Sequence, residues 1–553
     1  MNFIVNESAQ KLRGGYYTPP DLARFCSAWV LEGGCRELLE PSCGDGAFLE
    51  AVAGGLNGEA VGLRAFELDG EEAAKAFDRV RGSFPNPHSA QVECRDFLQW
   101  AVPQLLRQSL LFDGVVGNPP FIRYQYLPAP FQRFSEQVFE ILRLPFTKHT
   151  NAWVPFVLSG IAMMRPGGRL AMVVPSEIVH VMHAAPLRQY LGRHSDRIAI
   201  IDPAEIWFED TLQGAVILLV EKAEIPDRPR GQLAIIPVTG RSFTEEPAEA
   251  LLARARWQDV KAIEGKWTVA IVPPRARALL DEAGTRPGVC RLVEAAGVDV
   301  GIVTGANKFF LVTDSTVEAY SLHEWAHPMF GRSGHCPGIV YDVAQHTRNA
   351  VEGHPTNFLW FKESPGRRLA GKALDYIQTG EAELLHQRYK CRVREPWYEV
   401  PSVYATPLGM LKRCHDAPRL IVNAAGAYTT DTAYRLRPTR YSPELLATCF
   451  LTSLTALSAE IEGRSYGGGV LELVPSEIER MLLCIPPGLR PNLTALDAKV
   501  RTAGTQEAVM QQSVRVLGAA GYSTAEQSDL ADAWHWLRQR RQRTAAAPVE
   551  DAD

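Results

Sequence analysis

Asn118-Pro119-Pro120-Phe121 follows an apolar run, Phe112 to Gly117, that reads as a buried strand ending in a loop. Two successive prolines remove backbone donors and fix φ, so this loop is stiff. The residue ahead of a proline is held extended. The Asn118 amide therefore projects from a rigid platform with one acceptor and two donors. An aromatic ring comes next. The arrangement suits gripping a planar amine, with acceptors for its N–H groups and a ring to stack on it.

Three further constellations lie upstream. Glu40-Pro41-Ser42-Cys43-Gly44-Asp45-Gly46-Ala47-Phe48 sits between a strand-like and a helix-like segment. Its small residues allow close approach by a ligand, and the helix start behind it favours an anionic group. Alone, such a turn reads more readily as an ordinary tight turn. Glu67 ends the next apolar run, where an acid about 20 residues past a glycine turn suits ribose hydroxyls; otherwise it is a solvated strand-end acid. Asp96-Phe97 ends a third run. Either its carboxylate accepts from an exocyclic amine and its ring packs on an adenine, or it is a helix N-cap followed by a core phenylalanine.

These groups need a frame. Strand-like runs at 37–39, 60–66, 91–94, 114–116, 169–174, 197–201 and 214–220 alternate for the most part with helix-like segments such as 20–31, 70–81 and 151–164. That alternation predicts a parallel, doubly wound α/β sheet whose ligands bind at the carboxyl ends of the strands. One more apolar strand follows at 233–238. Beyond about residue 285 the strands become short and irregular, and from 491 the chain turns helical and polar. The expected division is a catalytic domain at 1–240, a linker at 241–285, a second domain at 286–490 and a helical C-terminal tail at 491–553. With 553 residues the chain is too long for one core. The 46% apolar and 22% charged composition is that of a globular protein, and the net charge of −5 does not by itself announce a nucleic-acid partner. Ten scattered cysteines show no metal-ligand spacing, so no metal is expected and reduced thiols fit a cytoplasmic protein. Neither a signal peptide nor an apolar run of membrane-spanning length is evident.

Taken in order, these motifs resemble the gamma-class, TaqI-type N6-adenine DNA methyltransferases of type II restriction–modification systems. Tyr17-Thr18-Pro19-Pro20 supplies that family's N-terminal segment. The resemblance implies a Rossmann-like class I S-adenosylmethionine-dependent methyltransferase sheet followed by a mixed α+β target-recognition domain. It implies S-adenosylmethionine as cofactor, held by Tyr16, Thr18, Glu40, Pro41, Ser42, Cys43, Gly44, Gly46, Phe48, Glu67, Leu68, Asp96, Phe97, Asn118 and Pro120. It implies a flipped adenine in double-stranded DNA as substrate. In that scheme Asn118 Oδ1 and the Pro119 carbonyl accept from the amine, Pro120 stiffens the loop, and Phe121 stacks on the base. Phe208 matches the family's second stacking aromatic, with a core role and Trp207 as the competing assignments. The family most often carries Tyr where Phe121 stands; a ring still stacks there.

The second domain resembles the family's recognition domains at 301–311, 389–398 and 465–473. Residues 361–440 hold 14 Lys/Arg against 8 Asp/Glu, an excess that an acidic chain concentrates in one place. Lys390, Arg392, Arg394 and Trp397 are the expected DNA contacts, each of the cations individually also readable as a solvated surface charge. The basic stretch 538–543 reads either as a phosphate contact or as the end of a solvated helix. The expected protein is a monomer acting without a membrane, paired in function with a separate restriction endonuclease. The first 17 residues leave no room for an upstream nuclease. The rivals are an RNA adenine methyltransferase, a protein-glutamine methyltransferase and a subunit of a larger restriction or defence complex.

Overall fold

The computed structural model describes residues 17–543 apart from 57, 59, 82–83, 85–88, 208–213, 226–227, 264, 366 and 467. Tyr16 and Phe208 therefore lie outside the described residues. The chain divides into one unit of residues 1–271 with 543–553 and a second of residues 272–542.

The first unit is built on nine strands: β1 (Glu37–Glu40), β2 (Gly62–Glu67), β3 (Ala90–Cys94), β4 (Phe112–Gly117), β5 (Met164–Pro175), β6 (Ser195–Pro203), β7 (Ala215–Lys222), β8 (Gln232–Val238) and β9 (Gln258–Asp259). Their order is β3-β2-β1-β4-β5-β7-β6-β8-β9. Strands β1 to β5 pair in parallel. Strand β7 runs antiparallel between β5 and β6. That departs from the wholly parallel sheet expected, for a physical reason. Only 204–214 separate β6 from β7, too few residues for a crossover helix, so the chain must turn back. A sheet of this order with an antiparallel β7 is the class I methyltransferase architecture.

Both faces of the sheet are covered, and the strands alternate accordingly. Leu39 and Phe66 enter a core with Phe97, Trp100, Phe139 and Trp153. Their neighbours Leu38 and Ala65 enter the opposite core with Phe25, Trp29 and Phe48. Helix α1 (Pro20–Glu32) starts with proline at its first position and buries Leu22, Phe25, Cys26, Trp29 and Val30, a single stripe at helical spacing. The remaining helices of interest are α2 (Ala47–Gly55), α3 (Gly70–Val80), α4 (Phe97–Leu106), α5 (Ala129–Ile141) and α6 (Trp153–Met163). Strand order reverses at β1, which pairs with β2 on one side and β4 on the other. The carboxyl ends of β1 and β4 flank that switch point, where open α/β sheets bind ligands.

Residues 241–271, expected as linker, are part of this unit. Phe243, Ala248, Leu251 and Leu252 are core residues, and β9 pairs with β8. Residues 491–542, expected as a tail, are part of the second unit. There the helix Thr524–Arg541 ends on a buried ion pair, Arg541 Nη2 to Glu460 Oε1 at 2.7 Å. The second unit carries a five-stranded sheet in the order Ala296–Val300, Ala433–Pro438, Leu408–Leu411, Leu420–Asn423, Val340–Tyr341. A separate aromatic core gathers Phe309, Phe310, Phe361, Tyr376 and Trp397. All ten cysteines are unpaired. Among the described residues no single helix is long and apolar enough to cross a membrane.

The turn between β1 and α2 generates a test. Gly46 has φ of 94°, and a Cβ there would lie 2.9 Å from Ala76 Cα in α3. Gly46→Ala is expected to cost roughly 1–3 kcal/mol from overpacking and a left-handed backbone. Urea unfolding followed by tryptophan fluorescence reads this as a lower midpoint. An unchanged midpoint contradicts the packing described.

Candidate functional site

Four chain segments meet at the carboxyl ends of β1, β2 and β4. The stiff loop after β4 is anchored twice through Asn118. Its carbonyl accepts from Ser42 Oγ at 3.2 Å, and its Nδ2 donates to Thr18 Oγ1 at 3.2 Å. The N-terminal Thr-Pro-Pro segment, the glycine turn and the Asn-Pro-Pro loop are thereby stitched together. Thr18 and Pro119 are buried, while Asn118, Pro120 and Phe121 are half-buried, with Phe121 packed against the edge of the core.

Glu67 organises the neighbouring turn. Its Oε2 accepts from the Gly44 N–H at 2.9 Å, and its Oε1 accepts from the Leu68 and Asp69 N–H groups at 2.7 and 2.8 Å. It is thus a structural tie between the glycine turn and the end of β2, not a solvated acid. Leu68 beside it is 57% exposed, an apolar face open to a ligand. Asp45 pairs with Arg79 at 2.6 Å.

Two acceptors are left unsatisfied. Glu40 is buried, and its Oε2 has no hydrogen-bond partner. Burial pushes its carboxyl well above the usual range, and the nearby Glu67 and Asp45 push it further. Asp96 divides its two oxygens. Oδ1 caps α4 by accepting from the Leu98 N–H at 2.8 Å, while Oδ2 is buried without a partner. Burial raises its pKa against the pull of the Leu98 and Gln99 N–H groups. The two readings of Asp96 from sequence are therefore compatible, one for each oxygen. A buried acceptor without a donor is costly, so each is a place where a ligand N–H is gained.

Other expected site residues are structural. Phe97 is 2% exposed, with ring centroids 5.4 Å from Phe66 and 5.3 Å from Phe156. Phe48 and Cys43 are buried, and burial pushes the Cys43 thiol far up, so it is no thiolate. Pro41 is buried behind the turn, and Gly44 and Gly46 both take positive φ there. Trp207 stacks on Phe243 inside the core, at 5.7 Å.

A support behind the loop escaped the sequence reading. Glu177, just past the end of β5, accepts from Trp153 Nε1 at 3.1 Å and from Asn151 Nδ2 at 3.4 Å, with His183 Nε2 at 3.6 Å. The backbone beside Asn151 in turn pins the segment that follows the Asn118 loop: Ala152 N–H donates to the Ile122 carbonyl and Tyr124 N–H to the Thr150 carbonyl. Burial pushes Glu177 up, but His183 and the Trp153 N–H outweigh it and hold the acid below its usual range. The available signal was an acid at a strand's carboxyl end beside an Asn-x-Trp helix start.

In the second unit, Trp397 is a core residue whose Nε1 donates to Glu381 at 3.2 Å. Arg394 spends its guanidinium on the Thr304 and Val303 carbonyls at 2.8 and 2.6 Å. Lys390 and Arg392 are exposed, and both lie near the Tyr389 ring. The basic C-terminal stretch is largely engaged: Arg538 pairs with Asp416, Arg541 with Glu460 and, in the first unit, Arg543 with Asp202. Among the described residues no cluster of His, Cys, Asp and Glu is placed to hold a metal ion.

Comparison with known proteins agrees with this geometry. The family model described as "Eco57I restriction-modification methylase" matches residues 66–207, and that of the "Type II methyltransferase M.Eco57I, C-terminal domain" matches 264–517. The type II methyltransferase M.AccI of Acinetobacter calcoaceticus is 20% identical over 483 residues, covering 85% of this chain and 84% of its own length. M.XamI of Xanthomonas campestris pv. amaranthicola is 24% identical over 483 residues, with coverage of 85% and 84%. A nuclease-deletion mutant of the Type ISP restriction-modification enzyme LlaGI, solved with a DNA substrate mimic, shares the fold. It matches at a TM-score of 0.50 and 11% identity, over 88% of this chain and 47% of that one. S-adenosylmethionine is the cofactor these likenesses imply. The site fits it: Glu40 Oε2 and Asp96 Oδ2 lack donors, and that molecule carries an ammonium and an exocyclic adenine amine.

Two tests follow from these side chains. Asn caps helices about as well as Asp, so Asp96→Asn should keep stability within ~0.5 kcal/mol. It replaces at least part of the acceptor with a donor, so S-adenosylmethionine binding by calorimetry should weaken about tenfold or more. Equal affinity contradicts the role of Oδ2. Glu177 has a lowered pKa in the folded state, so its contribution is present above the unfolded value and lost as pH falls through the folded one. Between about pH 6 and pH 3 the melting temperature of the native protein should fall more steeply than that of Glu177→Gln. Parallel curves contradict the assignment.

Proposed function

We propose that this chain, which belongs to the type II restriction–modification DNA methyltransferases, methylates the N6 amine of an adenine flipped out of duplex DNA. The observation that carries the reading is the stiff Asn118 loop at the carboxyl end of β4, tied to Thr18 and Ser42. S-adenosylmethionine, when bound, supplies an electrophilic methyl group. Thr18, Glu40, Ser42, Gly44, Glu67, Leu68 and Asp96 would hold it, with the Asp96 carboxylate taking its adenine amine and Glu40 its ammonium.

The remaining work is positional. A target amine inside the base stack cannot reach the pocket, so the base leaves the duplex. Asn118 Oδ1 and the Pro119 carbonyl accept its two N–H bonds, which keeps the nitrogen lone pair directed at the methyl group. Pro119 and Pro120 stop the loop from relaxing away, and Glu177 supports it from behind through Asn151 and Trp153. Phe121 stacks on the base, and Phe208 is assigned to its other face. Transfer then depends on alignment more than on acid–base chemistry. In the cell this modification protects host DNA from a separately encoded restriction endonuclease of the same specificity.

Asn118→Ala removes both the side-chain acceptor and the tie to Thr18. Tritium transfer from labelled S-adenosylmethionine to duplex DNA should fall by at least ~100-fold. DNA affinity by gel shift should change less than about threefold. Normal turnover in this variant contradicts the mechanism.

A further inference from the structure

The second unit contains an open cleft of about 400 Å³, bounded by the end of strand Ala296–Val300, the Gly301–Val303 loop and parts of the 390–402 segment. Three cations line it, Lys390, Arg394 and Arg435, against one acid, Asp299. Asp299 is engaged, accepting from the Tyr404 hydroxyl. Arg435 is only 4% exposed, and its Nε is buried without a hydrogen-bond partner. Its Nη1 donates to the Ser402 carbonyl at 2.7 Å, and its guanidinium lies 3.6 Å from the Tyr404 ring centroid. Among the described residues, the partners of these three cations are carbonyls and aromatic faces, with no carboxylate at ion-pair distance.

Some cations outside the cleft are matched. Lys412 and Arg413 share Glu472 at 3.3 and 2.6 Å, and Arg538 pairs with Asp416 at 2.5 Å. The cleft gathers three cations against one acid in a single concave place. The buried Arg435 Nε lacks an acceptor, which costs free energy, and an anion entering the cleft supplies one. Val393, which lines the cleft, is 68% exposed. Such an open edge suits a polymer passing over the cleft better than an engulfed small molecule.

We propose that this cleft receives a phosphodiester of the DNA backbone, with Lys390 as the mobile contact and Arg394 and Arg435 as fixed positive charge. The assignment rests on the reading of the chain as a DNA methyltransferase. It places these residues in positioning the duplex, which is independent of base sequence.

The test is the salt dependence of binding to a fluorescent duplex, measured by anisotropy on the full chain between about 50 and 200 mM salt. Lys390→Ala should lower the slope of log affinity against log salt by about 0.9 and weaken cognate and random duplexes alike. Lys390→Arg should restore the slope. Arg440→Ala, which removes an exposed cation absent from the cleft lining, should keep it. Inorganic phosphate added at fixed ionic strength should lower DNA affinity more in the wild type than in Lys390→Ala, since both anions would occupy the cleft. Lys390-dependent phosphate binding that leaves DNA affinity unchanged would assign the cleft to a free anion and overturn the proposal. An unchanged slope in Lys390→Ala, in protein that still methylates DNA, overturns the cleft and leaves the function standing. Wild-type protein that neither binds nor methylates DNA overturns both.

Discussion

The double anchoring of Asn118 is the constraint on which the site depends. One hydrogen bond from Ser42 and one to Thr18 join three segments that are about 25 and 75 residues apart in the chain. The sheet makes this meeting unavoidable. Strand β1 delivers the glycine turn and β4 delivers the proline loop side by side, because the two strands pair directly. Helix α1 fastens its own preceding segment by burying a full apolar stripe. Glu67 extends the same logic to β2, accepting one N–H from the glycine turn and two from the residues that follow that strand. The residues proposed to act on the substrate thus sit on rigid strand ends, the best placement for chemistry that relies on alignment.

Each unit leaves buried polar groups unsatisfied at the place proposed to take a ligand. The first leaves acceptors without donors, Glu40 Oε2 and Asp96 Oδ2, in the pocket assigned to a ligand bearing an ammonium and an amine. The second leaves cations without carboxylates, around a cleft assigned to a polyanion. Incomplete pairing of buried groups costs stability in the empty protein. In the proposed complexes the same groups would gain partners, so the side chains that weaken the empty fold would favour binding.

Much of the first unit was legible in the sequence because its signals are local. Buried parallel strands read as short apolar runs, and glycines and prolines mark the turns between them. The features that escaped depend on partners far along the chain. Nothing local distinguishes the antiparallel β7 from its neighbours except the short connection that precedes it. Arg541 and Trp397 look like nucleic-acid contacts in a linear reading. Their partners, Glu460 and the Phe309 ring, lie tens of residues away, so the folded chain spends them internally. Phe97 behaves the same way: an aromatic next to a site residue reads alike whether its ring faces a ligand or the core. Residues 241–271 carried too weak a period to show that they complete the first unit's core.

The central claim is that the amine gripped at Asn118 belongs to adenine. Mass spectrometry of nucleosides, from duplex DNA incubated with the purified full chain and S-adenosylmethionine, tests it most directly. The account predicts N6-methyladenine as the sole modified base, absent when the protein is omitted. Methylcytosine, or label transferred to RNA or protein but not to DNA, would contradict it.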